Sequence, residues 1–149
     1  MTNGEFCNRE VVIAQEDLSL VELARLMRDY HVGDVVIIRK EEKKTVPVGI
    51  VTDRDLVIKV IAKERSPASL SAGEIMSKNL KVVYEDHSLW ETIEVMRTNA
   101  IRRVPVVNER NELIGILTAD DLVEVIQEEI AALVKAVIKE QKREKGEHA

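Results

Sequence analysis

The hydrophobic pattern of the chain occurs twice. Apolar positions at helical spacing predict one helix over residues 19–30 and a second over residues 88–99. Each begins with a serine followed three residues later by a glutamate, which is the pattern of a capping box. A short β-prone run precedes each helix, and two apolar runs joined by a polar turn follow it. The pattern therefore predicts the order β-α-β-β-α in each half of the chain.

The predicted strands are short and rich in Val and Ile. They cover residues 11–13, 35–38 and 46–51 in the first half and residues 81–83, 104–107 and 113–117 in the second. The run over residues 35–38 is apolar without a break, which is typical of a strand covered on both faces.

Each half closes on the motif Gly-x-x-Thr-x-x-Asp. Thr52 and Asp55 end the first copy, and Thr118 and Asp121 end the second, 66 residues later. The helices repeat at an offset of 69 residues, and the difference lies in the charged turn at residues 41–44, where an insertion costs little. Thr-x-x-Asp fits a helix cap with Asp in place of Glu. The unpaired amides of a helix start also attract an anion, so the motif fits a cap or a ligand site.

A long amphipathic helix follows the second motif. Its apolar positions are separated by three or four residues, and from Thr118 to about Lys142 it would extend ~36 Å. An exposed apolar stripe of this length predicts an oligomer contact, with a helix folded back on its own core as the alternative. The charged tail after Lys142 is expected to fray. The predicted division is residues 1–62 and 73–128 as two units, 63–72 as a connector, and 129–149 as a helical extension and tail.

Composition narrows the class of protein. The chain has 149 residues, of which 45% are hydrophobic and 33% charged, as in a soluble globular protein. A net charge of −5 and an aromatic content of 3% disfavour a nucleic-acid binder. Cys7 is the single cysteine, so no internal disulfide forms and a reducing cytoplasm is the expected setting. The absence of a leader-like segment or of ~18 consecutive apolar residues predicts a cytoplasmic chain that does not cross a membrane.

The remaining polar residues do not form a recognisable catalytic set. The three histidines lack partners at metal-ligand spacing, so no metal site is predicted. Asp53 with Asp55, and Asp120 with Asp121, resemble acid/base pairs, but neighbouring residues at a helix start point in different directions. Because no nucleophile accompanies them, the chain is not expected to be an enzyme or to carry a catalytic cofactor.

Together these motifs resemble the paired cystathionine-β-synthase (CBS) domains called a Bateman module. The resemblance is carried by residues 49–56, 73–76, 101–106 and 115–122, and it covers about residues 7–128. It implies an α+β (α/β) fold of two tandem β-α-β-β-α units packed with pseudo-two-fold symmetry. The extended C-terminal helix would be an addition to this fold.

The resemblance also implies a function. Such modules are regulatory, and they bind adenosine-type ligands (AMP, ADP, ATP, NAD or S-adenosylmethionine) in clefts between the units. The resemblance assigns Asp55 and Asp121 to the ribose hydroxyls and places Thr52 and Thr118 beside them. The residues it assigns to the ligand's phosphates are Arg102 and Arg103, and those it assigns to the adenine walls are Val12, Ile13, Ala14, Lys81, Val82 and Val83. These roles suit the chemistry, because a carboxylate accepts charge-assisted hydrogen bonds from hydroxyls and an Arg fork matches phosphate. We expect a homodimer that acts on an unidentified effector protein.

The two halves differ at the phosphate positions. At the offset of 69, Gly33 and Asp34 stand where Arg102 and Arg103 stand in the second half. Asp34 would repel a phosphate, so we expect one good site and one that is impaired, empty or differently selective. The sequence leaves open which cleft the two arginines serve. It also leaves open an alternative function, a protein-interaction or dimerisation module with vestigial clefts whose long helix is the working surface.

Overall fold

The structure, a computed structural model, describes residues 1–148. The chain divides into two compact units, Met1–Leu117 and a second unit that begins at Thr118. The first unit contains two three-stranded sheets with helices, and the second is a long helix. Among the described residues, no helix has both the length and the apolar character that crossing a membrane would require.

The first half of the chain forms one sheet in the strand order β1-β2-β3, with β1 parallel to β2 and β2 antiparallel to β3. A π-helix, Leu56–Ile61, continues α3. The elements are α1 (Asn3–Phe6), β1 (Ile13–Gln15), α2 (Leu20–Tyr30), β2 (Asp34–Glu41), β3 (Lys44–Thr52) and α3 (Asp53–Asp55).

The second half repeats this arrangement in the strand order β4-β5-β6, with β4 parallel to β5. A 3-10 turn, Pro67–Ser69, comes before it. The elements are α4 (Ala72–Ile75), β4 (Val83–Tyr84), α5 (Leu89–Asn99), β5 (Arg103–Val107), β6 (Leu113–Thr118) and α6 (Ala119–His148). The predicted fold class, with the same element order in both halves and a long final helix, is confirmed.

Strand β2 is buried on both faces, as its unbroken apolar run predicts. Val35 and Ile37 belong to the core cluster that the helices of the first half cover. Val36 and Ile38 point to the opposite face, where they pack in one cluster with Ile116 of β6. Alternate residues of a strand face opposite sides, so β2 serves the first-half core and also the contact between the two sheets.

The short segment that precedes each half of the chain is hydrogen-bonded to the sheet of the other half. Asn8 and Ile116 exchange two backbone hydrogen bonds of 2.9 Å, which join the N-terminal segment to the second sheet. At the equivalent position, the amide of Ser77 donates to the carbonyl of Ile50 over 3.2 Å. The predicted boundaries at residues 62 and 73 remain predictions. A division by sequence alone separates each of these two segments from the half that it contacts.

Asn3 anchors the N-terminal segment. Its side chain is fully buried; its amide nitrogen donates to the carbonyl of Tyr84 over 2.8 Å, and its amide oxygen accepts from the hydroxyl of Thr92 over 2.7 Å. A buried amide with both ends bonded fixes the segment in one position.

Several predicted element bounds are wrong, among them the strand expected at residues 35–38, which extends over Asp34–Glu41 because its pairing with β3 continues to Glu41 and Lys44. The strands expected at residues 11–13 and 81–83 begin two residues later, at Ile13 and Val83, because pairing with the neighbouring strand sets their register. The final helix does not fray at Lys142 but continues to His148, since Lys, Glu and Arg are good helix formers. Arg143 and Glu147 approach to 3.9 Å one turn apart in this part. Ala149, the last residue of the predicted tail, lies outside the described residues.

Candidate functional site

The first motif forms a complete helix cap. Thr52 ends β3 in an extended conformation, with φ −106° and ψ 161°. Its hydroxyl oxygen accepts a hydrogen bond from the amide of Asp55 over 3.1 Å, and the Asp55 carboxylate accepts from the amide of Thr52 over 2.9 Å. The capping interpretation of Thr-x-x-Asp is therefore satisfied, with Asp in the place of the usual Glu.

The cap leaves both side chains able to bind a ligand. The second carboxylate oxygen of Asp55 lies 3.4 Å from the Lys59 ammonium. An ionised carboxylate offers about four lone-pair sites, so the cap and this ion pair do not exhaust it. The Thr52 hydroxyl accepts in the cap and keeps its proton to donate. Both side chains are half-buried, which leaves part of each accessible from the surface.

A cavity of about 320 Å³ lies beside this cap. Its volume is at the lower end of the range for small-molecule sites. The lining combines the capping pair with three cationic side chains and a few apolar ones. The lining residues are Ile50, Thr52, Asp55, Ser77, Asn79, Leu80, Lys81, Ala100, Ile101, Arg102 and Arg103.

The end of α5 brings the arginines to the cavity. Ala100 follows α5 in the left-handed conformation, with φ 53° and ψ 47°, and the amide of Ile101 donates to the carbonyl of Met96 over 3.0 Å. This cap reverses the direction of the chain before β5. Arg102 and Arg103 consequently line the same cavity as Asp55, although they come from the other half of the sequence.

Arg103 is paired with Asp34. The Arg103 Nε lies 2.9 Å from the Asp34 carboxylate, and the two side chains are 36% and 22% exposed. The N–H is buried and is not directed well enough at the oxygen for a hydrogen bond, so the contact is an ion pair without an aligned hydrogen bond. Asp34 is opposite Thr52 in the register of β2 with β3, which places it next to the cap. Asp34, which is expected to repel a phosphate, therefore neutralises part of the charge of Arg103.

The second motif repeats the hydrogen bond that the Thr hydroxyl accepts. The Thr118 hydroxyl oxygen accepts from the amide of Asp121 over 3.1 Å at the start of α6. Both side chains are half-buried.

The predicted adenine-wall residues are divided among several places. Lys81 lines the cavity described above, whereas Ile13 and Ala14 line a different cavity of about 420 Å³. The carbonyl of Val12 accepts from the amide of Val36 over 3.0 Å. Val83 is buried in β4 and Val82 is half-buried before it. The adenine-wall assignment remains a prediction.

Sequence reasoning missed the polar residues before β4. Ser77 and Asn79 line the cavity, and the Ser77 hydroxyl is 3.4 Å from both the amide and the carbonyl of Ile50. A signal was present in the repeat, since Ser77 corresponds to Asn8 at the offset of 69. The first residues of each exchanged segment could thus have been proposed as neighbours of the motif strand.

A second surface cavity is larger, about 560 Å³, but its chemistry differs. Four of its lining residues are acidic, so it would repel a phosphate. Across residues 1–148, no three His, Cys, Asp or Glu side chains gather closely enough to hold a metal ion. The lining residues are Tyr84, Glu85, Asp86, His87, Asn108, Glu109, Arg110 and Glu112.

Comparison with known sequences gives relatives over most of the chain. Hypoxic response protein 1 of Mycobacterium tuberculosis is 32% identical over 137 residues, which cover 91% of this chain and 93% of that protein. An uncharacterized protein of Methanopyrus kandleri is 38% identical over 122 residues, or 82% of this chain. The match spans only 61% of the Methanopyrus protein's length.

Solved structures with the same fold include proteins with bound ligands. Hypoxic Response Protein I with two coordinated zinc ions has a TM-score of 0.73 at 31% identity, over 83% of this chain and 98% of that one. The cytosolic domain of the Mg²⁺ channel MgtE in complex with ATP has a TM-score of 0.70 at 25% identity, over 83% and 48%. The CBS domain pair of protein MJ0100, in complex with methylthioadenosine and S-adenosylmethionine, has a TM-score of 0.74 at 22% identity, over 87% and 98%. At this identity the last likeness concerns the fold alone.

The family model for the CBS domain matches the chain twice, over residues 4–62 and residues 72–128. These two matches coincide with the two β-α-β-β-α repeats of the structure. The chain therefore belongs to the CBS domain family, as a tandem pair of CBS domains.

Proposed function

We propose that this chain is a regulatory module that binds a phosphorylated adenosine ligand in the cavity beside Thr52. The observation that carries the proposal is the meeting of Asp55 with three cations, Lys81, Arg102 and Arg103, around one cavity. A carboxylate and a group of cations suit the two ends of a nucleotide, its ribose hydroxyls and its phosphate.

The ribose would bind at the cap. The lone pairs of Asp55 that neither the cap nor Lys59 uses can accept from two neighbouring hydroxyls, and hydrogen bonds to an ionised acceptor are about twice as strong as neutral ones. The Thr52 hydroxyl can donate to a ribose or phosphate oxygen.

The phosphate would bind among the cations. Lys81 and Arg102 are exposed at the cavity, and half-buried Arg103 contributes a guanidinium that Asp34 neutralises in part. The charges of the lining favour an anion, since three cations face one carboxylate. S-adenosylmethionine carries a cationic sulfonium instead of a phosphate, so we expect AMP, ATP or NAD to bind more tightly. The complex of MgtE with ATP supports this class of ligand.

Ligand occupancy would be transmitted to an effector protein through a change in packing. The size of this coupling is limited by the difference between the ligand's affinities for the two conformations. A phosphate that approached Arg103 would compete with Asp34 for the guanidinium, which links occupancy to the first strand of the neighbouring hairpin.

Isothermal titration of the full chain with AMP, ATP, NAD, S-adenosylmethionine and adenosine tests the proposal. We expect binding of the phosphorylated compounds and weaker binding of adenosine and S-adenosylmethionine. The absence of binding by all of them at millimolar concentration would refute the proposal and favour the interaction module with vestigial clefts.

Asp55→Asn tests the ribose contact while retaining an oxygen for the cap. We expect the affinity for AMP to fall about 10-fold to 100-fold, since a hydrogen bond to a charged group contributes ~1.5–3 kcal/mol. Asp53→Asn is the matched control, because it makes the same charge change two residues away and Asp53 lines a different cavity. Replacing AMP with 2′-deoxy-AMP should lower the affinity of the wild type. The same replacement should change the affinity of Asp55→Asn only slightly, because the carboxylate that the 2′-hydroxyl would bind is already absent. Equal effects of the two substitutions on AMP binding would contradict the ribose assignment.

A further inference from the structure

Lys59 is not among the residues that line the cavity beside the cap, but its ammonium contacts two parts of that cavity's frame. It lies 3.4 Å from the Asp55 carboxylate and donates to the carbonyl oxygen of Ile75 over 3.2 Å. Ile75 is the last residue of α4, and the carbonyl of a last residue has no partner within its own helix. Because an ammonium has three N–H donors, Lys59 can hold both acceptors at once.

The two acceptors belong to different walls of the cavity. Asp55 is part of the motif that ends β3, whereas Ile75 leads into the segment after α4 (residues 76–81), which supplies Ser77 and Asn79 to the lining. The amide of Ser77 already donates to the carbonyl of Ile50 in β3 over 3.2 Å. Lys59 provides a second attachment of the same segment, on the helix side of the cap, and two attachments fix an orientation that one would leave free.

We propose that Lys59 is a positioning residue of the nucleotide site, which joins the motif to the segment after α4 and holds the Asp55 carboxylate in place for the ligand. This role rests on the proposed function for the identity of the ligand. The joining of the two walls does not require a ligand and is measurable without one.

The Asp55 carboxylate is held through both of its oxygens. One oxygen accepts from the amide of Thr52 over 2.9 Å, and the other lies beside Lys59. Since a carboxylate held at both oxygens does not rotate freely about the bond to its Cβ, the lone pairs that remain keep one direction. A ribose then meets an acceptor that is already oriented, and such preorganisation raises affinity because less freedom is lost on binding.

The backbone at Lys59 has an uncommon conformation. Leu56–Ile61 is a π-helix, and the amide of Ala62 donates to the carbonyl of Val57, five residues earlier, over 2.8 Å. π-Helices are rare and are frequently found at functional sites. Val60 is 1% exposed, so the backbone is fixed against the core one residue after Lys59. The base of the Lys59 side chain therefore has a set position, although the side chain itself is 39% exposed.

The second motif lacks this lysine. At the offset of 66 that relates the two motifs, Val125 stands where Lys59 stands in the first half. A valine side chain has no donor, so position 125 cannot form an ion pair with Asp121. The lysine thus distinguishes the first motif, which supports placing the ligand in the cavity beside Thr52.

Isothermal titration of the full chain with AMP tests the positioning role. Lys59→Met removes the ammonium and keeps the apolar stem, and we expect the affinity to fall about 10-fold, near the lower end for a hydrogen bond to a charged group because Lys59 is partly exposed. Lys59→Arg keeps a cation with several donors and should restore most of the loss. Lys63→Met makes the same change at an exposed residue four positions later and should bind like the wild type.

Two comparisons separate positioning from a general weakening of the fold. The preference of the wild type for AMP over 2′-deoxy-AMP should become smaller in Lys59→Met, because the acceptor of the ribose is no longer held. Lys59→Met should also lower the affinity less in an Asp55→Asn background than in the wild type, since residues that act together do not have additive effects. Equal losses of affinity for AMP and 2′-deoxy-AMP, or full additivity with Asp55→Asn, would overturn the proposal.

Hydrogen exchange of the unliganded chain tests the joining of the walls by itself. Lys59→Met is expected to raise the exchange rates of the amides of Met76 and Ser77 about 5-fold, the effect of losing one hydrogen bond. Lys63→Met should leave both rates unchanged. Equal rates in Lys59→Met and the wild type would overturn the proposal. If the wild type binds no nucleotide, the proposed function fails, and the exchange rates still decide whether Lys59 joins the two walls.

Discussion

Gly115 lies where the N-terminal segment crosses β6, and replacing it with alanine tests that contact. A Cβ at this position would lie 2.7 Å from the carbonyl oxygen of Asn8 and 2.7 Å from the Sγ of Cys7. No described glycine has a positive φ, so alanine can adopt the backbone conformation of Gly115. Without the clash, the smaller entropy of the unfolded alanine chain would stabilise the variant by ~0.4–1 kcal/mol. The sign of the change in unfolding free energy therefore shows whether the N-terminal segment lies this close to β6.

The size of the effect follows from the distances. Ordinary contact begins at 3.4 Å, so the Asn8 carbonyl must retreat by about 0.7 Å. The same oxygen accepts from the amide of Ile116 over 2.9 Å, and that hydrogen bond would lengthen beyond the usual range. Overpacking costs ~1–3 kcal/mol and a lost hydrogen bond ~0.5–1.5 kcal/mol, so we expect Gly115→Ala to lower the unfolding free energy by ~2–4 kcal/mol.

Urea and thermal unfolding of the full chain measure this change. At ~2–4 °C per kcal/mol for a chain of this size, Tm should fall by ~5–15 °C. Gly146→Ala in α6 is the control, because nothing lies within 4 Å of its added Cβ, and its Tm should be unchanged or slightly higher. If Gly115→Ala also raises Tm, the close approach of the N-terminal segment to β6 is not a feature of the folded protein.

Two further predictions concern the same segment. Asn3→Ala removes the partner of the Thr92 hydroxyl and of the Tyr84 carbonyl, so urea denaturation should show a loss of ~2–4 kcal/mol from two broken buried hydrogen bonds. Thr2→Ala, at a half-buried neighbour whose side chain makes no cap hydrogen bond, should change much less. Burial raises the pKa of the Cys7 thiol. Because the thiolate is the nucleophile, Cys7 should react with a disulfide reagent at pH 8 more slowly than free cysteine and reach the same rate after unfolding; equal rates in the folded protein would contradict this.

The sequence predicts the element order because the relevant signals are local. Serine caps and helical spacing identified α2 and α5, and both helices end within one residue of the expected position. The sequence pattern places the first strand of each sheet two residues early, since a short Val-rich run contains no information on its register with a distant partner.

The sequence predicts only part of the candidate site, because only part of that site belongs to a local motif. Thr52 and Asp55 belong to a local motif, and their cap forms as the motif predicts. Ser77 and Asn79 are ordinary polar loop residues, and only the contact of their segment with Ile50 brings them to the cavity. The ion pair of Arg103 with Asp34 joins residues 69 positions apart, so no local pattern indicates it.

The packing role of the motif glycines cannot be predicted from the sequence either. A Cβ at Gly49 would lie 2.5 Å from the Sδ of Met76, as one at Gly115 would meet Cys7. Met76 and Cys7 correspond at the offset of 69. The glycine of each motif thus makes room for the segment that enters from the other half, which a search for phosphate-binding loops would not suggest.

The exchange of segments has a consequence for synthesis on the ribosome. Asn8 is made early, but its hydrogen-bond partner Ile116 is added 108 residues later. At ~5–20 residues per second, the nascent N-terminal segment waits roughly 5–20 s before its place on β6 exists. During that interval its apolar side chains are open to other partners, so the rate of translation and the availability of chaperones should influence how much of the chain matures correctly.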